Sequence, residues 1–454
     1  MTSTRHILFI NEFYHPDICA SAAVLTDRLP RLARLRPDFR ITVIAGSRAW
    51  DDPSVVYPAT EEYRSVRIVR VNRPAVSRTN LIRRALGFAA FGRGAIRAAR
   101  GMDRIDLVIA TTAPPQGADI ARKIARRRGC PYVYTVLDLY PDLAVTLGRI
   151  KGNGLIHRRW LARDTRTMRD AAAVVSIAGR MTERIARTRA VQEALLKSSG
   201  TLRDKGLSQN NGTLYCGTGV SPVSKHRPEA CATGGFGIGS KLQTIHDGFD
   251  PGRIEVVGRN GFQAEYNPEG KFVVQYAGNM GLSHPFDTIL AAAAALADDP
   301  NVLFQFIGDG PQRPYVRQHL PPNAQLIDYQ PADRLGQVLA TADLCLISQQ
   351  EDMFDKALPY KVYAILAAKK PAVFIGSRQS EIVEWYEQAG AGRYVSQGDA
   401  DRLAAIIREL MTDSSRTNAM SHAAEAIFNK RFHAEQAAQQ WAELIDKLVV
   451  AANA

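Results

Sequence analysis

Between residues 271 and 376, short apolar runs alternate with helix-like segments: KFVVQYAGNMG, NVLFQFIGDGP, DLCLISQQE, LPYKVYAILAAKK and PAVFIG. Runs of Val, Ile, Leu and Phe this short, several ending in glycine-containing turns, read as buried parallel strands joined by crossover helices. The second half is therefore expected to be a doubly wound α/β domain. Ligands of such a sheet lie outside the carboxyl ends of its strands, so 278–281, 308–311 and 349–361 should converge on one crevice.

The first half alternates in the same way. RHILFIN, FRITVIAG, SVRIVRV, IDLVIAT, PYVYTVLD and AAAVVSIA read as strands, and 20–35, 80–100, 116–128 and 153–169 as helices. Pro30 should kink the first of these helices or mark its end. A chain of 454 residues exceeds what one core holds, since domains split beyond about 250–300 residues. The expected architecture is two Rossmann-like α/β domains facing a central cleft, over 1–196 and 242–432. A last helix, 433–454, is expected to pack back across the junction. Between the domains, 197–241 is dense in Gly, Ser and Thr without any period, and reads as an inserted, disordered segment.

Apolar residues at 46% and charged residues at 23% are ordinary globular values. No window approaches the ~18 apolar residues of a membrane span, and the N-terminus enters a strand without a signal-peptide pattern, so a cytoplasmic protein is expected. The five cysteines are scattered with no CxxC pair, which argues against a zinc or redox motif. Charge is uneven. Residues 1–200 carry 35 Lys and Arg against 17 Asp and Glu, and the remainder 23 against 28. An anionic membrane, a phosphorylated substrate or simply a solvated basic surface would explain the surplus. Nucleic acid is disfavoured, because the arginines are dispersed and no nucleic-acid motif is present.

Several motifs occur in order: NEFYHPDICASAA, VLDLYPDLAVTLG, AGNMG, IGDGP and P-x-K-x-Y-x-x-L-A-A-x-x-P, the proline of the first P-x-K pair at 359. Together they resemble the GT-B glycosyltransferases of family 4, most closely the branch that builds colanic acid, exopolysaccharide and O-antigen. The resemblance covers roughly 1–196 and 241–450. It implies an N-terminal acceptor-binding domain, a C-terminal nucleotide-sugar-binding domain with a UDP- or GDP-linked donor, and retaining transfer without a metal or other cofactor. The acceptor would be a polyprenyl-diphosphate-linked or oligosaccharide chain. The protein would then work in the cytoplasm, peripherally on the inner face of the cytoplasmic membrane.

Transfer from a nucleotide sugar requires donors around a departing diphosphate. Gly278, Asn279 and Gly281 form a turn that lets backbone N–H groups approach phosphate, with His284 beside it. Lys361, at a helix start, is the expected cation. Ala20 and Ser21, where relatives have Gly-Gly, should cap the phosphate from the first domain; Asp309, Gly310 and Glu381 should border the nucleotide. Asp138 and Asp142 are candidates to orient or deprotonate the acceptor, and Glu351 to bind the sugar. Asp138 and Asp142 flank Tyr140 and Pro141, and the alternative reading of Asp138 is a cap of the following helix. The E-x7-E pattern of relatives falls on Lys356 and Ala364 here. Asp399 and Asp401 have D-x-D spacing but open a helix, and no metal site is assigned. Over 80–100, Arg83, Arg84 and Arg97 with Phe88 and Phe91 form a basic amphipathic pattern suited to a membrane or acceptor surface, or to an ordinary domain helix. A sugar-nucleotide 2-epimerase and a catalytically degenerate sugar-nucleotide-binding scaffold are the alternatives. A dinucleotide oxidoreductase is disfavoured because NEFYHPD, not G-x-G-x-x-G, follows the first strand.

Overall fold

A computed structural model describes residues 4–50, 52–74, 81–204, 237–254 and 260–453, with the side chains of 81–84, 195–204 and 452–453 left aside. The segment expected to be an insertion falls mostly at 205–236, outside the described residues.

Two sheets organise the chain. The first contains β1 (Arg5–Ile10), β2 (Phe39–Gly46), β3 (Thr60–Tyr63), β4 (Val66–Val71), β5 (Leu107–Thr111), β6 (Tyr132–Val136), β7 (Ala173–Ser176) and β8 (Leu242–Thr244), in the order β3-β4-β2-β1-β5-β6-β7-β8. The second contains β9 (Phe272–Ala277), β10 (Val302–Ile307), β11 (Ala324–Ile327), β12 (Leu344–Ser348), β13 (Ala372–Ile375) and β14 (Gly392–Val395), in the order β11-β10-β9-β12-β13-β14. All neighbours pair in parallel except β3 with β4. Central strands such as β5, β6, β10 and β12 are buried along their whole length, as a sheet covered by helices on both faces requires.

In the first domain, α1 (Ala20–Leu35) places Ala22, Leu25, Leu29 and Leu32 on one buried face. It runs on through Pro30 to Leu35. On the other face of the sheet lie α2 (Leu81–Arg100), α3 (Gly117–Arg128), α5 (Leu155–Asp170) and α6 (Gly179–Asp204), with the short α4 (Asp142–Thr146) leaving the end of β6. Phe91 is completely buried in the core with Ala95, Ile120 and Ile124, and Phe88 is half-buried. The membrane-facing role expected of Phe91 is therefore corrected, because this ring packs into the core beneath the sheet, while Phe88 stays partly accessible. Arg97 is exposed, while the side chains of Arg83 and Arg84 lie outside those described.

Two strands extend the first sheet beyond the sequence expectation. Thr60–Tyr63 forms a hairpin with β4 across Arg64 and Ser65, both at positive φ (46° and 67°), the backbone of a tight two-residue turn. β8, at 242–244, pairs with β7, so the chain is still in the first sheet where the second domain was expected to begin. The C-terminal helix Ala434–Asn453 returns to the first domain, where Trp441, Ala442, Ile445 and Val449 share a core with Leu25, Leu29 and Leu32. Arg31 fastens it by an ion pair to Glu435 (2.6 Å).

Candidate functional site

The strand order of the second sheet reverses at β9, which has β10 on one side and β12 on the other. Connections leave β9 and β12 in opposite directions there and open a crevice at their carboxyl ends. The two loops are laced together beneath it. The Gln350 amide donates to the Ser283 carbonyl (2.8 Å) and His284 Nδ1 donates to the Ser348 carbonyl (2.6 Å), while within the loop after β12 Gln349 Nε2 donates to Ala357 O (2.8 Å).

The turn after β9 is packed against the turn after β10. Gly278 N donates to Ile307 O, Met280 N to Asp309 O and Gln312 N to Met280 O. Gly308 has φ +131°, and a Cβ there would lie 2.2 Å from Gly278 O. Only glycine satisfies both conditions. Gly308→Ala is expected to cost about 1–3 kcal/mol in a urea unfolding experiment and to weaken any ligand of the 278–281 turn, because that turn must move aside. Among the described residues, the N–H groups of Asn279 and Gly281 have no hydrogen-bond partner. Asn279 and Asp309 are exposed at the crevice, and Gly310 lies against Met280 O and Asn279.

Lys361 enters this turn from below. Its ammonium lies 3.4 Å from the centroid of the Tyr276 ring, and a Cβ on Gly278 would be 3.3 Å from it. The ammonium nitrogen is buried and has no hydrogen-bond acceptor among the described residues. Loss of water pulls its pKa down to about 7. A buried cation stabilised only by an aromatic face is costly and lacks a counter-ion. Burial, with Lys361 beside it, also pulls His284 down to about 4, so that ring is neutral near pH 7. Lys361 is thus the cation that the described residues supply directly to this turn.

Across the cleft, the loop after β6 meets the loop after β12. Asp138 forms a β-bridge with Ala357, and Leu139 N donates to Lys356 O (2.8 Å). Thr112 Oγ1 accepts from the amides of Leu137 and Asp138, both at 3.1 Å. Removal from water pushes the Asp138 carboxyl up to about 6.

Asp142 is corrected from acceptor base to anchor. Its Oδ1 accepts from Arg184 (2.7 Å) and its Oδ2 from Arg189 (2.8 Å), which together outweigh burial and hold the carboxyl below its usual range. Both oxygens are engaged by guanidinium groups, which favour the ionised, anchoring form over a proton carrier. Arg184 also reaches Asp355 of the second domain (3.0 Å), and Asp355 binds Lys356 (2.8 Å). Lys356, at the E-x7-E register, is thereby held inside a buried ion-pair chain, a role that sequence spacing had no means to show.

Glu381, expected at the nucleotide, accepts through Oε2 from the Gly179 amide at the start of α6 (3.0 Å). Among the described residues its Oε1 has no partner, and burial pushes the carboxyl up to about 7. It joins the two domains. Glu351 is exposed on a single 3-10 turn after β12. Ala20 and Ser21 open α1 at the carboxyl edge of β1. Asp399 caps the helix Ala400–Thr412, accepting from the Arg402 amide (3.1 Å). No group of three or more His, Cys, Asp or Glu among the described residues is arranged to hold a metal. No helix among the described residues is long and apolar enough to cross a membrane.

Residues 271–413 match the family described as Glycosyl transferases group 1. The chain is similar to the probable glycosyltransferase WbjE of Pseudomonas aeruginosa, with 31% identity over 146 residues, 31% of this chain and 36% of that protein. It is also similar to the putative colanic acid biosynthesis glycosyl transferase WcaI of Escherichia coli, with 28% identity over 149 residues, 32% of this chain and 36% of that protein. The matched region thus spans about a third of the length of both relatives. Among solved structures, Anabaena HepE in complex with UDP-glucose superposes with a TM-score of 0.65 at 16% identity, over 98% of this chain and all of that one. The protein therefore has the two-domain GT-B glycosyltransferase fold and is related, through residues 271–413, to the group 1 glycosyl transferases.

Proposed function

We propose that this protein is a retaining, metal-independent glycosyltransferase that moves a sugar from a nucleoside-diphosphate donor to a lipid-linked or saccharide acceptor in bacterial surface polysaccharide synthesis. The carrying observation is Lys361, a buried cation that among the described residues has no counter-ion, beneath a glycine turn whose Asn279 and Gly281 amides have no partner among them either. A diphosphate would supply the missing charge, and the same contacts strengthen as it departs with an added negative charge. UDP is the leading nucleotide, since HepE, the similarly folded protein, was solved with UDP-glucose. The similarity to a putative colanic acid biosynthesis enzyme supports a polysaccharide acceptor.

Asp138 is proposed to face the acceptor. A carboxyl near pKa 6 is half ionised at that pH and is a stronger base than an ordinary aspartate. The rate should therefore rise as pH increases through about 6. Asp138→Asn should lower kcat by roughly 10²–10⁴-fold while leaving UDP affinity unchanged. The test of the function is incubation with UDP-sugars and a polyprenyl-diphosphate-linked saccharide, reading the new linkage by NMR. A product with the donor's anomeric configuration supports the proposal. UDP-sugar binding without transfer would favour the scaffold, and a 2-epimerised sugar nucleotide the epimerase.

A further inference from the structure

From Leu143 to Arg163 the chain contains no Asp or Glu, yet it holds five Lys and Arg. This stretch follows the start of α4, turns at Gly152 and Gly154, and begins α5. Leu155 and Ile156 open α5 with 64% and 67% of their surfaces exposed, the two most exposed large apolar side chains among the described residues. Arg149, Lys151, Arg158 and Arg159 surround them in sequence, are exposed, and form no ion pair among the described residues. Arg163, one turn further on, is instead bound to Asp119.

The tip has a fixed place in the molecule. The Trp160 ring stacks on Tyr140 with centroids 5.5 Å apart and planes 4° from parallel. Tyr140 lies two residues beyond Asp138, whose backbone bridges to Ala357 across the cleft. Along α5, Leu155 and Ile156 stand only ~6–8 Å beyond Trp160 at the helical rise of ~1.5 Å per residue. The apolar pair is therefore on the rim of the cleft. Two adjacent aliphatic side chains among unpaired cations match an anionic bilayer surface, whose phosphates attract the cations and whose acyl chains receive the aliphatics. A protein partner would have to present an apolar socket ringed by acids.

We propose that the α4–α5 tip is the point at which this protein docks on an anionic lipid bilayer, inserting Leu155 and Ile156 while the four cations meet headgroup phosphates. The proposal rests on the lipid-linked acceptor reading for its purpose, since docking here brings the Asp138 side of the cleft to the bilayer. The test is flotation of the full chain with vesicles of phosphatidylcholine alone or with ~30 mol% phosphatidylglycerol. The expected result is binding to the anionic vesicles only, weakened at least ~10-fold between ~0.1 and ~0.5 M NaCl as the charges are screened. The double variants Leu155→Ser/Ile156→Ser and Arg158→Gln/Arg159→Gln should each bind at least ~10-fold more weakly, with unchanged melting temperatures and unchanged thermal shifts on adding UDP. Equal binding to neutral vesicles, wild-type binding by both variants, or no vesicle binding at all would overturn the proposal. Vesicle binding that depends on these residues in a protein that ignores UDP would leave this surface standing and remove the functional reading.

Discussion

Lys361→Met is expected to make the nucleotide-free protein more stable and its binding of UDP far weaker. The two signs have one origin. Burial pulls the folded-state pKa of Lys361 to about 7, below its value of 10.5 in water. The unfolded chain thus binds more protons between those two values, and the native state bears the full penalty below pH 7, losing it progressively as pH rises toward 10.5. Methionine keeps most of the volume without the charge. A gain of ~2–4 kcal/mol is expected from urea unfolding at pH 6.5, shrinking towards zero near pH 10. UDP affinity should fall by ~10²-fold or more, since truncating one partner of a buried charge pair costs about 2–5 kcal/mol. A residue that lowers stability in the free protein and supports binding is the signature of a ligand site.

The largest loss of stability is expected from Arg189→Met. The Arg189 guanidinium is completely buried and joins Asp142 Oδ2 (2.8 Å), Asp164 Oδ2 (3.0 Å) and the Tyr140 carbonyl (3.0 Å). Removing it leaves two buried carboxylates without their main counter-charge, a change that costs about 3–5 kcal/mol. Asp142→Asn in the same background should restore part of the loss, because one of the stranded charges is then gone. The measurement is the urea midpoint of the two single variants and the double. Equal stability of Arg189→Met and the wild type would show that this chain does not hold the domain together. Because Asp142 also binds Arg184, which reaches Asp355, the same substitution should loosen the 355–358 segment that bridges to Asp138.

The fold was legible where apolar runs are long enough to be buried on both faces. The strands Phe272–Ala277, Val302–Ile307, Leu344–Ser348 and Ala372–Ile375 and the helix Ala20–Leu35 follow directly from such runs. Thr60–Tyr63 and Leu242–Thr244 were not, because they are short edge strands whose existence depends on the neighbour they pair with. Gly278, Gly308 and Lys361 could be placed at one crevice from strand order alone. The burial of Lys361 could not, since it depends on Tyr276 and the turn at Gly278, 83 or more residues earlier. The anchoring contacts of Asp142 and Glu381 were hidden for a related reason. Their partners Arg184, Arg189 and Gly179 are 42, 47 and 202 residues away, and no local pattern announces them. Phe91 shows the limit of amphipathic patterns: the same stripe suits a bilayer or a sheet, and only the packing of α2 on β4 and α3 chooses between them.

The central claim is that Lys361 is a diphosphate ligand, and proton uptake tests it most directly. UDP should hold Lys361 protonated, so titration calorimetry in buffers of different ionisation enthalpy should register about half a proton taken up per UDP at pH 7 and nearly one at pH 8.5. Affinity should fall correspondingly over that range, and Lys361→Met should abolish the Lys361 share of the uptake. UDP binding of equal strength in the variant, with the same proton count, would contradict the account.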